Sequence, residues 1–341
     1  MLARLIIGLG VLLAPFVISS AQAETTARIL SFDNLAGWQE DNHQAAFDAY
    51  KETCKLMDDP EWSNLCEFAH SNPDPKAFFE LFFRPVIIEN GTPTLFTGYF
   101  EPELRGARYP DGRHRYPLYR KPQGEAATFT RQQIDQTDAL KGLEIAWVDN
   151  PVDIYFLQIQ GSGRVKLTDG SSIRVGYAGE NGHPNRSIAQ KLIDEGIMTR
   201  SQASNARIRD WFGRNPSFGQ EVLWTNPSYV FFRKLALPPN KGPRGAMNRS
   251  LTSLRSLAVD PRYVTLGSPV WIEKPGNPTL HRLMVAQDTG AAIKGAQRAD
   301  VFFGTGEVAG KVANQIKDGG RMVVLMPIQL AFAMAPEGEL E

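Results

Sequence analysis

A change in hydrophobic pattern near Pro85 most strongly limits what this chain can fold into. From about Trp38 to Pro85 the apolar residues recur at helical spacing, and Asp74-Pro75 is typical of a helix start. Beyond Pro85 short apolar runs alternate with turn signals, and Asn90-Gly91 between two such runs predicts a β-hairpin. Because long helices do not alternate with these runs, we predict a mainly β fold with small helices rather than layered α/β.

The segment DIYFLQIQ is predicted to be a half-buried strand. Its apolar residues Tyr155, Leu157 and Ile159 alternate with a set that includes Gln158 and Gln160. Alternation with a period of two places the two sets on opposite faces of a strand. The glutamine side chains would then share one face.

The first 23 residues predict a cleaved secretory signal peptide. They combine one arginine, a long apolar stretch and the small-residue ending Ala21-Gln22-Ala23, so cleavage is expected before Glu24. An uncleaved membrane anchor is the alternative, but the apolar run is short for a span and Pro15 interrupts it. No cysteine lies near the cleavage site, so a lipid anchor is not expected. The mature chain is predicted to be exported and soluble.

Composition narrows the function further. The chain carries 37 basic and 37 acidic residues, a balance that gives no support for a nucleic-acid partner. Its two cysteines, Cys54 and Cys66, predict one local disulfide in an exported protein, with two buried free thiols as the alternative. The five histidines have no metal-ligand spacing, so neither a metal nor another cofactor is expected.

The segment LMVAQDTGAAIKGAQRADVFFG contains two aspartates that could do chemistry. Asp288-Thr289-Gly290 has the pattern of an aspartic-protease loop, but such enzymes need two loops whose carboxylates share a proton, and no second loop occurs. Asp300 follows twelve positions later. If both carboxylates reach one groove, repulsion and an apolar neighbour such as Phe302 would raise a carboxyl pKa, as an acid for glycosidic cleavage requires. Alternatively, both aspartates only hold turns.

Several separated segments between about Phe78 and Pro327 are distinctive when taken together. They are LFTGYFEPEL, IYFLQIQGSGRVKLTDGS, VGYAGENGHP, WTNPSYVFF, GPRGA, RSLAVDPRYVTLGSPVW and LMVAQDTGAAIKGAQRADVFFGTG. In this order they resemble one family, the MltA lytic transglycosylases, which cut the glycan strands of peptidoglycan. The last segments resemble the family's C-terminal 3D region, named for three aspartates, which are Asp260, Asp288 and Asp300 here.

The resemblance implies two domains with a glycan-binding groove between them. A discontinuous domain containing a double-psi β-barrel would comprise Glu24–Leu104 and Lys234–Glu341. A second β-domain, Arg105–Arg233, would be inserted into it. The Pro/Gly-rich segment 236–250, predicted from its composition to be a linker or long loop, would then cross between the domains.

The resemblance also implies the chemistry. Asp300 would act first as acid and then as base, cleaving the MurNAc-β-1,4-GlcNAc bond without water and leaving a 1,6-anhydro-MurNAc end. Asp288 and Asp260 would support it. A non-catalytic peptidoglycan-binding wall protein is the alternative.

The expected setting is a periplasmic monomer acting on peptidoglycan, with outer-membrane or wall association left open. Polar and aromatic residues of the matching segments become substrate-binding candidates, with solvated strand faces as the alternative: Thr97, Tyr99, Glu101, Gln158, Gln160, Tyr177, Glu180, Asn181, Asn226, Tyr229 and Lys294.

Overall fold

The computed structural model describes residues 24–335, which form two β-sheets with small helices around them. The mainly β prediction is therefore confirmed. The predicted signal peptide, residues 1–23, lies outside the described residues. Between residues 24 and 335, no helix is both long and apolar enough to span a membrane.

The larger sheet has nine strands, and the strand that carries Asp300 is an interior strand, third from one edge. In spatial order the strands are β1 (Thr26–Ile29), β2 (Phe83–Glu89), β15 (Arg321–Pro327), β11 (Pro269–Lys274), β12 (Leu280–Asp288), β10 (Ser256–Val259), β13 (Arg298–Thr305), β3 (Leu95–Glu101) and β14 (Lys317–Asp318). Strand β13 pairs antiparallel with β10 and parallel with β3. This register places Asp300 opposite Ala258 on one side and Thr97 on the other.

Both faces of the larger sheet are buried. One set of alternating residues, including Trp271 and Val323, packs on an aromatic helical cluster that contains Phe78. The other set, including Ile272 and Val324, forms the second half of the core. Because successive strand residues point to opposite faces, the continuous apolar runs of this sheet are explained by two-sided burial.

The helical cluster covers one face of the larger sheet. It consists of α1 (His43–Thr53), α2 (Pro60–Ala69) and α3 (Pro75–Phe82). Helix α3 begins where the sequence predicted, since the Asp74 side chain accepts a hydrogen bond of 2.8 Å from the Ala77 N–H. A disulfide joins Cys54, just after α1, to Cys66 in α2, which confirms the disulfide interpretation over two free thiols.

The smaller sheet has six strands and follows β3 directly. Its strands, in spatial order, are β5 (Tyr116–Tyr119), β6 (Glu144–Val148), β4 (Glu103–Ala107), β7 (Ser162–Leu167), β8 (Ser172–Glu180) and β9 (Val230–Lys234). Helices α4 (Arg131–Gln136), α5 (Pro151–Gln160), α6 (Ile188–Asp194), α7 (Asn205–Arg214) and α8 (Pro216–Trp224) surround it, while α9 (Gly306–Ala313) and α10 (Ile328–Met334) belong to the larger sheet. The predicted domain boundaries and the double-psi topology stay predictions.

The strand predicted for DIYFLQIQ is wrong, because this segment forms helix α5. The Asn150 side chain caps the helix through the Val152 N–H at 3.1 Å, and Pro151 occupies its first turn. Gly161 ends it with φ of 75°, a conformation that glycine adopts without strain. A short apolar run fits a buried helix as well as a strand, so these end signals were the better guide.

The hairpin predicted at Asn90-Gly91 is also wrong. The chain does turn there, but β2 pairs with β1 and β15, whereas β3 pairs with β13 and β14. A local turn signal specifies a reversal and not a partner. Long-range burial of both strands decided the pairing instead.

Candidate active site

Asp300 is the third residue of β13 and is mostly buried. Its Oδ1 accepts a hydrogen bond of 2.7 Å from the Thr97 hydroxyl on the neighbouring strand β3. Burial raises the pKa of Asp300 to about 6, and the nearby Asp288 carboxylate acts in the same direction. The Thr97 hydrogen bond and the Arg298 charge act against this rise. A carboxyl group of this kind can exchange a proton near neutral pH.

Asp288, at the end of β12, holds three elements together. Its Oδ1 accepts the backbone N–H groups of Thr289 at 2.9 Å and Ala246 at 2.8 Å, and its Oδ2 accepts the Tyr99 hydroxyl at 3.0 Å. Burial raises the pKa of Asp288 above its usual value, although these hydrogen bonds oppose the rise. Asp288 and Asp300 therefore lie near one another, as the sequence predicted. Asp288 accepts three hydrogen bonds from the protein, whereas Asp300 accepts one, so Asp288 has fewer acceptor sites free for a substrate.

Tyr99, on β3, binds Asp288 and packs on Phe302. Its ring packs 5.3 Å from the ring of Phe302, and its hydroxyl donates to Asp288. Burial and the neighbouring carboxylates raise the pKa of Tyr99 well above its usual value, so the phenol keeps its proton as a donor. Tyr99 and Thr97 alternate on β3 and both face the aspartates, as their spacing predicts.

Arg298 is a site residue that the sequence reasoning missed. Its Nη2 donates to Thr97 Oγ1 at 2.9 Å, and its Nη1 donates to the carbonyl oxygens of Leu95 at 3.1 Å and Ala299 at 2.7 Å. It precedes Asp300 by two positions on a strand, so both side chains lie on the same face. That spacing was the available signal.

Asp260 directly follows β10 and binds groups of the protein itself. Its buried carboxylate accepts Arg262 Nη2 at 2.6 Å and the backbone N–H of Gly295 at 2.9 Å. The Arg262 guanidinium holds the pKa of Asp260 well below its usual range. Asp260 thus fixes the loop between β12 and β13, where the exposed Lys294 precedes Gly295.

Glu101, predicted to bind sugar, is instead buried at the junction between the two sheets. It is 1% exposed and pairs with Arg164 at 2.8 Å and Arg174 at 2.8 Å, two arginines of the smaller sheet. Thr305 donates to it from the larger sheet. The same arginines donate to carbonyl oxygens at 238–241, so the predicted crossing segment is fastened here. Glu101 has no surface left for a glycan.

Four more predicted sugar-binding residues are buried beside the smaller sheet, where other protein groups contact them. Arg131 donates to the side-chain oxygen of Gln158 and stacks 5.0 Å from the ring of Tyr229. The Asn181 side chain forms hydrogen bonds to three backbone groups, those of Phe129, Pro227 and Tyr229. The Asn226 side chain forms hydrogen bonds to the side chain of Asn185 and to the backbone N–H groups of Arg186 and Ser228. These residues organise the domain and are not open to substrate. They are Gln158, Asn181, Asn226 and Tyr229.

The remaining candidates keep accessible surface. Tyr177, on β8, is 50% exposed, and Glu180 at the end of that strand is also exposed. Gln160 ends helix α5 and accepts the Phe100 N–H at 3.1 Å, which ties α5 to β3. Its position follows from the helix and not from the predicted strand face.

The only cluster of potential metal ligands within residues 24–335 is Cys54, Cys66 and His70. Because both thiols are consumed in the disulfide, this set does not fit a metal ion.

Comparisons with known proteins agree with the geometry. Residues 95–233 match the MltA specific insert domain, and residues 255–326 match the 3D domain. Membrane-bound lytic murein transglycosylase A of Vibrio cholerae is 32% identical over 298 residues, which cover 82% of this chain and 79% of the relative.

Solved structures give the same result. MltA from Neisseria gonorrhoeae superposes with a TM-score of 0.81 at 31% identity, covering 89% of this chain and 93% of that one. Escherichia coli MltA with bound chitohexaose gives a TM-score of 0.71 at 26% identity, covering 90% and 93%. With both domain models matched in order and relatives aligned over most of their length, the chain belongs to the family of membrane-bound lytic murein transglycosylase A.

Proposed function

We propose that this chain is a peptidoglycan lytic transglycosylase in which Asp300 is the single group that transfers protons. Family membership supports the activity. The observation that carries the residue assignment is a mostly buried carboxyl on an interior strand, with its pKa raised to about 6 and one oxygen free of protein hydrogen bonds among the described residues. Neither Asp288 nor Asp260 combines these properties.

The proposed reaction needs no second carboxylate. Protonated Asp300 donates its proton to the glycosidic oxygen, and the electron pair of the C1–O bond leaves with that oxygen. The resulting MurNAc cation has oxocarbenium character. The Asp300 carboxylate then removes the proton from the MurNAc 6-hydroxyl, and O6 bonds to C1. Asp300 ends protonated, as it began, and no water is consumed. The tethered hydroxyl has a large effective concentration, which favours it over solvent.

The substrate groove is proposed to lie between the two sheets. The Escherichia coli relative binds chitohexaose, an oligomer of linked amino sugars. In this chain the exposed Tyr177 suits the face of a sugar ring, while Glu180, Gln160 and Lys294 suit hydroxyl or charged groups. We propose peptidoglycan strands as the partner and no nucleic acid, for an exported, periplasmic monomer. The relatives are named membrane-bound, and how this chain associates with a membrane or the wall is left to experiment.

Product analysis tests the proposal. Purified peptidoglycan is digested with the protein, and the soluble fragments are separated and weighed by mass spectrometry. We expect fragments that end in 1,6-anhydro-MurNAc, each lighter by one water than the reducing-end form. Reducing ends would identify a hydrolase. Retention of protein on peptidoglycan without released fragments would identify the non-catalytic wall-binding alternative.

Activity should depend on pH through Asp300. The free enzyme must carry the proton that it donates, so kcat/KM should be highest below the Asp300 pKa of about 6 and fall as pH rises through it. Above that value the fall should approach about tenfold per pH unit, because the protonated fraction falls by that factor. The measurement is kcat/KM on soluble glycan strands across this range. A profile that is flat or rises from acid to neutral pH would contradict the assignment.

A further inference from the structure

The side chains of Arg298, Thr97 and Asp300 form a chain of hydrogen bonds that ends at the proposed proton-transfer group. Arg298 Nη2 donates to Thr97 Oγ1 at 2.9 Å, and Thr97 lies 2.7 Å from Asp300 Oδ1. Thr97 and Asp300 are directly paired residues of β3 and β13, and Arg298 lies on the same face two positions earlier. The backbone register therefore sets these distances.

Arg298 fixes the direction of the first hydrogen bond in this chain. A guanidinium group has donors and no acceptor, and a hydroxyl group has one proton. Since Thr97 Oγ1 accepts from Arg298, the Thr97 proton is free to point to Asp300 Oδ1. Oδ1 is then an acceptor whether Asp300 is protonated or ionised. Among the described residues, Oδ2 of Asp300 has no hydrogen-bond partner.

We propose that Thr97 and Arg298 are positioning residues that reserve Oδ1 of Asp300 as an acceptor, so that Oδ2 alone carries the transferred proton. The same oxygen gives the proton to the glycosidic oxygen and later takes it from the MurNAc 6-hydroxyl, and the other oxygen never competes. This inference rests on the proposed role of Asp300. It adds that Oδ2 is the oxygen that transfers the proton and that Thr97 and Arg298 select it.

The charged surroundings of Asp300 are consistent with this arrangement. Arg298 on its own strand and Asp288 at the end of β12 are the charges that act on it, with opposite effects on its pKa. Tyr99 on β3 is neutral and donates to Asp288, and β10 on the other side, Ser256–Val259, carries no titratable side chain. The Thr97 hydrogen bond and the Arg298 charge both favour the carboxylate, so removing either should raise the Asp300 pKa.

Arg298 also has a structural function, because it binds the carbonyl oxygens of Leu95 and Ala299. Loss of activity in an Arg298 variant would therefore not be enough to show positioning. The pH profile separates the roles, since weaker strand packing would lower the amount of folded enzyme without moving the profile.

The test compares kcat/KM against pH for the parent enzyme and five variants on soluble glycan strands. Thr97→Val, which removes the hydroxyl at similar volume, should move the falling limb upward by about one pH unit, the size expected for a hydrogen bond to a charged group. Its acidic plateau should also fall, by up to about 10²-fold, because a misplaced proton donor lowers the rate. Thr97→Ser keeps the donor and should stay within about twofold of the parent in both respects. Arg298→Met should move the limb in the same direction as Thr97→Val.

The double variant Thr97→Val/Arg298→Met decides whether Arg298 acts through Thr97. Its plateau should equal that of Thr97→Val within about twofold, because residues in one network are not additive. If the plateau of the double variant instead falls by the product of the two single losses, Arg298 does not act through Thr97. Thr94→Val is the matched control, since the one hydrogen bond of the Thr94 side chain within residues 24–335 is a long one of 3.5 Å to Gln297. Its pH profile should be that of the parent.

Two results would overturn the inference. One is an unmoved limb in both Thr97→Val and Arg298→Met, and the other is a Thr97→Ser variant as impaired as Thr97→Val. If Thr97→Val does not fold, Arg298→Met and Thr97→Ser still give the answer. The Asp300→Asn variant separates this inference from the proposed function on which it rests. If Asp300→Asn is active, Asp300 is not the proton-transfer group and the proposed function of Asp300 fails. If it is inactive while the Thr97 and Arg298 variants keep the parent pH profile, only the positioning inference fails.

Discussion

Replacing Asp300 with asparagine is expected to reduce the release of anhydro-ended fragments by about 10³-fold or more, because one residue supplies both the acid and the base and each such group contributes about 10² to 10⁴. The amide has nearly the same shape as the carboxyl group and can still accept from Thr97 at the position of Oδ1. It cannot give up and regain a proton. Rates are measured from fragment release by mass spectrometry, and binding by co-sedimentation with insoluble peptidoglycan.

Binding should be preserved in this variant, since the predicted groove contacts do not include the replaced atom. Asp33→Asn is a matched control, because Asp33 is exposed and makes no side-chain hydrogen bond among residues 24–335. Its rate should equal that of the parent. An Asp300→Asn variant that releases fragments at more than a few per cent of the parent rate would remove Asp300 as the proton-transfer group.

Replacing Glu101 with alanine is expected to lower the free energy of unfolding by about 3–5 kcal/mol, the cost typical of breaking a buried ion pair from one side. The two arginine side chains, 17% and 6% exposed for Arg164 and Arg174, would lose their shared carboxylate inside the junction. Their remaining carbonyl partners at 238–241 carry no full charge. The measurement is urea-induced unfolding, followed by spectroscopic probes in both domains because a two-domain chain need not unfold in one step.

Glu103→Ala is the matched control, two positions away on the same stretch of chain. Its carboxylate pairs with Lys166 at 2.9 Å, but both side chains are much more exposed, at 26% and 59%. An exposed pair of this kind contributes about 0–1 kcal/mol. Equal losses of unfolding free energy in the two variants would show that the buried ion pairs of Glu101 do not stabilise the junction more than an exposed pair does.

Local signals in the sequence were sufficient for several elements. The Asp74-Pro75 start of α3, the mainly β character after Pro85 and the disulfide between Cys54 and Cys66 depend on neighbours in the chain, and the structure contains each of them. Caps, turns and fixed backbone angles act over a few residues, so they can be read without knowing the fold. The ordered segments that resemble one family also gave the activity class.

Other elements depended on partners far away in the sequence. Helix α5 was mistaken for a strand because a short apolar run fits both, and β2 and β3 did not pair because each found a longer-range neighbour. Glu101 and Gln158 look like polar surface residues until Arg174 and Arg131 are found beside them. Whether a polar side chain faces water or a buried partner is a property of packing.

The sequence by itself determined the fold class and the family, and the family resemblance predicted that Asp300 transfers the proton while Asp288 supports it. Only the tertiary structure shows the physical difference between the two carboxyl groups. Asp288 is occupied by three donors, whereas Asp300 keeps a free oxygen and a raised pKa because β13 is buried between β10 and β3. Desolvation and cross-strand hydrogen bonds arise from residues about 200 positions apart, such as Thr97 and Asp300, so no local pattern could reveal them.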